Sequence, residues 1–172
     1  ILRGRGNEAF QLYRAKNVAG ERIENYDVDP KALMMQFEFE EAGDELMGIY
    51  HSHPVSVAWP SATDAWNANY PDSYYLICSL EYDDAPILRA FRMTPHFPDV
   101  DGEGLRAALP FREVRRGLFG YFQRADQATP RALHDAAADV KLPFYVVFTE
   151  DGSGAVDDLR FVEIAEYTVE IG

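Results

Sequence analysis

Cysteine occurs once in the 172 residues, as Cys78. One thiol cannot close a disulfide within the chain. A small disulfide-stapled secreted scaffold is therefore excluded, and a reducing, cytoplasmic setting is expected. Cys78 follows Tyr74-Tyr75-Leu76-Ile77, where a lone Cys reads as a small buried hydrophobe. No apolar run approaches the ~20 residues of a membrane-spanning helix, and no secretory signal pattern is seen. Basic residues are scarce: 16 Lys and Arg stand against 29 Asp and Glu, for a net charge of −13 and a pI near 4.6. That balance excludes a nucleic-acid backbone or an anionic membrane surface as a partner, since either needs clustered cations. It leaves simple solubility, or the steering of a basic protein partner. Histidine is scarcer still. There are four, and two of them, His51 and His53, lie two residues apart.

What is present fits one globular domain with a real core: the chain is 47% hydrophobic and 13% aromatic. Alternation over residues 8–16 predicts a strand. Residues 17–25 read as loop and 26–29 as a short extended stretch. Asp29-Pro30 reads as an N-cap followed by Pro in the first helical turn, opening a helix through Leu33, Phe37 and Glu41 that stops at Gly43. The apolar run Leu46 to Tyr50 predicts a buried strand ending at His53-Pro54. Ser61 opens a helix carrying Asp64, Trp66 and Tyr70, and residues 73–93 read as a strand hairpin. Residues 95–110 are a Pro/Gly/Asp-rich connector, 111–124 and 129–140 are helix candidates, and 144–149 and 159–171 are strands. The sum is an α+β, or mixed α/β, domain with a central sheet flanked by helices.

The chemistry concentrates in Gly48-Ile49-Tyr50-His51-Ser52-His53-Pro54 and Ser61-Ala62-Thr63-Asp64. Positions i and i+2 of a strand share a face, so His51 and His53 present two imidazoles side by side while Ser52 points away. Two neutral imidazoles are good zinc ligands, and a catalytic zinc takes three protein ligands plus water. Asp64 is the best third candidate. Ser61 and Asp64 have the spacing of a capping box, which would fix a carboxylate in the first turn of a helix. Taken separately, a His-x-His pair on an ordinary strand and a plainly capped helix are also adequate readings.

Taken together, His51-Ser52-His53-Pro54 followed by Ser61-Ala62-Thr63-Asp64 resembles the motif of the JAMM (MPN-plus, Mov34/PAD-1) metalloprotease family, prokaryotic type. Gly48-Ile49-Tyr50, Pro60, Tyr75-Leu76-Ile77, Ser79-Leu80, Asn17-Val18-Ala19 and Asp29-Pro30-Lys31-Ala32-Leu33 extend the likeness over roughly residues 1–94. The resemblance implies a cytidine-deaminase-like central sheet and Zn2+ held by His51, His53 and Asp64. It implies Ser61 as an oxyanion donor. It also implies cleavage after the Gly-Gly C-terminus of a ubiquitin-like or sulfur-carrier protein. The family's general base is a Glu just before a Leu-Leu-x-Gly-like stretch. Ile1-Leu2-Arg3-Gly4 matches that stretch, which places the Glu a few residues before Ile1, and a truncated N-terminus is expected. Glu8 lies on the wrong side of Gly4 for this role.

The expected organisation is a JAMM core over 1–94, a connector with a helical insertion or extension over 95–143, and strands completing the sheet over 144–172. Trp59, between the ligands, is a candidate wall for a substrate tail or else a loop anchor. Trp66 and Tyr70 read as core, and His96 and His134 as surface residues. Two other readings remain beside the isopeptidase: a non-catalytic MPN-type scaffold, and a zinc peptidase for small peptides. The sequence does not give an oligomeric state.

Overall fold

The computed structural model describes residues 1–20 and 26–172. The expected loop over 17–25 therefore falls partly outside the described residues. Two compact units emerge: one comprises Ile1–Trp59, Asp72–Phe91 and Glu166–Gly172, the other Pro60–Pro71 and Arg92–Ala165. The secondary structure is mixed α+β, with mostly antiparallel strands and few, short helices, as the sequence implies.

In the first unit, β1 (Leu2–Arg5) and β2 (Glu8–Leu12) form an antiparallel hairpin, and β1 pairs antiparallel with β3 (Glu45–His53). Strand β3 runs parallel to β4 (Tyr74–Ser79), and β4 pairs antiparallel with β5 (Ile87–His96). The strand order is β2-β1-β3-β4-β5. Parallel neighbours need a crossover connection, and the segment joining β3 to β4 is the one that carries the motif. Asp44, at the entry to β3, is buried. Burial alone would push its carboxyl up, but hydrogen bonds from Arg3 and Arg5 outweigh it and hold the group below its ordinary value. The pairing pins β1 to the start of β3.

The helix expected after Asp29-Pro30 is two short ones, α1 (Pro30–Leu33) and α2 (Met35–Glu41), joined at Met34. The Asp29 carboxylate accepts from the Lys31 amide as an N-cap, and α2 buries Phe39. The predicted first strand stops at Leu12, short of residue 16. Beyond it Asn17 bridges Val28, and its side-chain oxygen accepts from the amides of Ala19 and Asp27.

In the second unit, β6 (Arg112–Arg115), β7 (Leu118–Gln123), β8 (Phe144–Glu150) and β9 (Val156–Tyr167) pair antiparallel in the order β9-β8-β7-β6. Helix α3 (Ala62–Trp66) packs on β7 and β8, and α4 (Gly102–Ala108) is capped by Asp101. Leu105, Leu109, Leu133, Phe144, Val146 and Phe161 form a buried cluster.

Three expectations are corrected here. Residues 111–124 are a hairpin, not a helix. Phe119, Tyr121 and Phe122 suit a pleated surface, and Gly117, at φ 74°, takes the turn conformation that other residues avoid. Residues 129–140 hold only a short 3₁₀ turn, Arg131–Leu133. Helix α3 ends at Trp66, capped by Asn67, so Tyr70 lies beyond it.

Candidate metal centre

His51 and His53 occupy the last rungs of the β3 ladder, opposite Ile77 and Ser79 of β4. His51 is 8% exposed and His53 half-buried. Their Nε2 atoms lie 3.1 Å apart. Strand alternation therefore places both rings on one face, in agreement with the i, i+2 spacing. The ring of Tyr26 stacks on His51 at 3.9 Å between centroids. His53 Nδ1 lies 2.9 Å from the Val57 carbonyl oxygen. A carbonyl can only accept, so Nδ1 carries the proton and Nε2 of the neutral ring carries the lone pair. Such an outer contact is what orients a metal-ligating imidazole.

The loop that supplies this carbonyl is itself tied down. The Leu80 amide donates to the His53 carbonyl at 2.9 Å, and the Ser79 hydroxyl to the Ser56 carbonyl at 2.7 Å. Trp59 packs edge-on against Phe91, and the Arg89 guanidinium lies 5.2 Å above its ring. Arg89 is held in turn by a two-point pair with Glu166. On the opposite face of β3, burial and then a hydrogen bond with Cys78 push the Tyr50 phenol above its ordinary value. Cys78 itself is half-buried, not fully buried.

Ser61 and Asp64 form the capping box that their spacing suggests. The Ser61 amide donates to Asp64 Oδ2 at 2.7 Å, and the Asp64 amide donates to Ser61 Oγ at 3.1 Å. The Ser61 hydroxyl also donates to Oδ2, at 2.8 Å. Asp64 is 3% exposed and Ser61 is exposed. A carboxylate has about four acceptor positions, so the cap does not exhaust Asp64. The segment is fixed from both ends. The Tyr145 hydroxyl donates to the Pro60 carbonyl at 2.7 Å. The Arg160 guanidinium lies 4.0 Å over the Trp66 ring and donates to the Trp66 carbonyl. Gly120 of β7 makes room for α3: a Cβ there would stand 2.7 Å from Cβ of Ala62.

As a donor set, His51, His53 and Asp64 could hold a metal ion. Two imidazoles and a carboxylate are the mixed N/O ligands that suit zinc, and the His53 tautomer fits ligation. Among the described residues, His96 and His134 contribute to no such set. His96 pairs with Glu163 at 2.9 Å, and His134 Nε2 donates to the Thr129 carbonyl. Sequence reasoning misses Tyr26, the Val57 carbonyl and Gly120. An aromatic far from the motif, a main-chain acceptor and a glycine on a misassigned strand leave no mark at the motif itself.

A paired-histidine strand end and a capped acidic helix, within an α+β chain with mostly antiparallel strands, define a candidate metal-site protein. The model of prokaryotic homologs of the JAB domain matches residues 2–94. The chain belongs to this family, and the JAMM resemblance of the sequence holds. It is 48% identical over 64 residues to a desampylase of Haloferax volcanii, covering 37% of this chain and 46% of that protein. The match thus spans about half the length of the curated relative. A solution structure of a Salinibacter ruber protein aligns with 54% of this chain and 65% of that one, at 35% identity and a TM-score of 0.39.

Proposed function

We propose that His51, His53 and Asp64 together hold one Zn2+ and that the chain hydrolyses an (iso)peptide bond after the C-terminal tail of a ubiquitin-like or sulfur-carrier protein in the cytoplasm. The observation that carries this reading is that the ligands are pre-oriented by their neighbours. His53 Nδ1 donates a hydrogen bond to the Val57 carbonyl, and the capping box holds Asp64. Family membership supports the chemistry, and the desampylase relative favours an isopeptide over a small-peptide substrate.

Zinc held by these residues would lower the pKa of a bound water toward ~7 and polarise the scissile carbonyl. The protein's own groups do the rest. The Ser61 hydroxyl turns from Asp64 Oδ2 to donate to the developing oxyanion, while its oxygen still accepts from the Asp64 amide. Trp59, seated on Phe91, walls the path of an extended Gly-Gly tail. The family resemblance implies a Glu as general base. It accepts the proton of the attacking water and delivers it to the leaving amine.

The test is metal analysis and turnover on the full-length protein. About one zinc per chain is expected, lost in His51→Ala and in Asp64→Ala, with cleavage of a fusion that carries a Gly-Gly-terminated carrier. Metal-free protein purified without chelator overturns the site. Stoichiometric zinc without cleavage of any carrier fusion overturns the hydrolase and leaves the scaffold reading.

A further inference from the structure

The second unit contains a groove of about 710 Å³ formed where the 97–105 segment faces the 132–140 segment. Val100, Leu105 and Val140 line it. Leu105 belongs to the buried cluster of this unit, and Val100 and Val140 pack against that cluster, so the apolar wall continues into the unit's core. Asp99, Asp101, Asp135 and Asp139 line the same groove and are exposed. No Lys or Arg is among the lining residues. Phe97, 65% exposed, stands among them.

The carboxylates of this groove differ from their neighbours. Elsewhere in the unit, Glu150 pairs with Arg106, Asp126 with Arg124, Asp158 with Arg160 and Glu163 with His96. Asp101 is committed to capping α4. Asp99, Asp135 and Asp139 have no ion pair among the described residues. The groove thus concentrates negative charge over an apolar wall, in a chain whose net charge is already −13. Like charges crowded around one concavity repel, and a cationic occupant relieves that repulsion while covering apolar surface. The stems of Lys and Arg do both at once, laying methylenes on the wall and the charge at the rim. Every lining residue follows position 94, where the family match ends. The groove therefore lies outside the part of the chain that the family match covers.

We propose that this groove docks a Lys- or Arg-bearing, partly apolar segment of a partner protein. The proposal stands apart from the hydrolytic reading, because binding here needs neither zinc nor turnover. The probe is a fluorescein-labelled peptide of alternating Lys and Leu, titrated with the full chain at physiological salt and followed by anisotropy. A Glu/Leu peptide serves as the negative probe. Saturable binding of the Lys/Leu peptide alone is expected. It should weaken about tenfold in Asp135→Asn/Asp139→Asn and in the groove-filling Ala136→Trp, and stay unchanged in Asp83→Asn/Asp84→Asn, which do not line the groove. Thermal melts show that each variant is folded. Absence of saturable binding overturns the proposal, as does equal weakening by the Asp83/Asp84 pair, which would show bulk charge at work. A shift in sedimentation by the groove variants with no effect on the peptide also overturns it, and assigns the groove to a second copy of the chain.

Discussion

The hydroxyl of Ser61 carries a single proton, and Asp64 Oδ2 receives it. The Ser61 oxygen in turn accepts from the Asp64 amide, so Ser61 is at once a helix cap and, in the proposed reaction, an oxyanion donor. The two roles separate on substitution. Ser61→Ala should lower stability by about 1 kcal/mol through the lost cap, and turnover by roughly 10²–10³ through the lost donor. Zinc content should stay near wild type, because no ligand is removed. Denaturant unfolding, steady-state kinetics and metal analysis read the three quantities; unchanged turnover contradicts the oxyanion role. At this scale much of the site is legible in the sequence. A His-x-His on a strand and a Ser-x-x-Asp at a helix start are short-range patterns whose geometry the backbone period dictates. The groups that hold them are not legible. Tyr26 lies 25 positions from His51, and the Val57 carbonyl is an acceptor that every residue possesses.

Helix α3 is only five residues long, too short to persist alone in water. Its position comes from what it rests on. The contact at Gly120 is close: even one methyl group there would meet Ala62. Gly120→Ala should therefore cost about 1–3 kcal/mol by overpacking and displace the segment that carries Ser61 and Asp64. The expected outcome is a lowered Tm together with weaker zinc retention under chelator competition. A variant with wild-type melting and zinc retention shows that α3 does not depend on this contact. The importance of Gly120 is hidden in the sequence because 111–124 reads there as helix. A run of aromatic and aliphatic residues broken by Arg116-Gly117 satisfies either period over so short a window, and strand pairing with β8 decides it. The same difficulty hides α4 within a connector rich in Pro, Gly and Asp, where only the Asp101 cap marks a helix start. The strands around the motif are legible because their apolar runs are long and their turns well punctuated.

At the scale of the molecule, the shifted carboxylates among the described residues all move the same way. Arg124 holds Asp126 below its ordinary value, Ser153 holds Asp151, and Arg89 holds Glu166; at Asp44 burial opposes the shift but Arg3 and Arg5 prevail. A depressed native pKa means that the unfolded chain takes up its proton first. The associated stability is complete above the ordinary carboxylate range and is lost as pH falls through the native values. Relief of self-repulsion works in the opposite sense as the −13 charge is titrated, which should flatten the profile down to about pH 5. Below about pH 4 the urea midpoint should fall steadily, and less steeply in Asp44→Asn. A midpoint that rises between about pH 4 and about pH 3 contradicts this account.

The donors that secure the start and end of the α3 segment come late in the chain. Tyr145 reaches Pro60 across 85 positions, and Arg160 reaches Trp66 across 94. Such separations slow folding, because the intervening loop must close before the contact can form. On the ribosome the consequence is an order of assembly. Strand β3, bearing the histidines, can pair with β1 and β4 as soon as residue 79 has emerged. The acidic helix must wait for Gly120, Tyr145 and Arg160 before it is held in place. A nascent chain therefore has its two imidazoles in position well before the Asp64 carboxylate, which waits on residues as far along as Arg160.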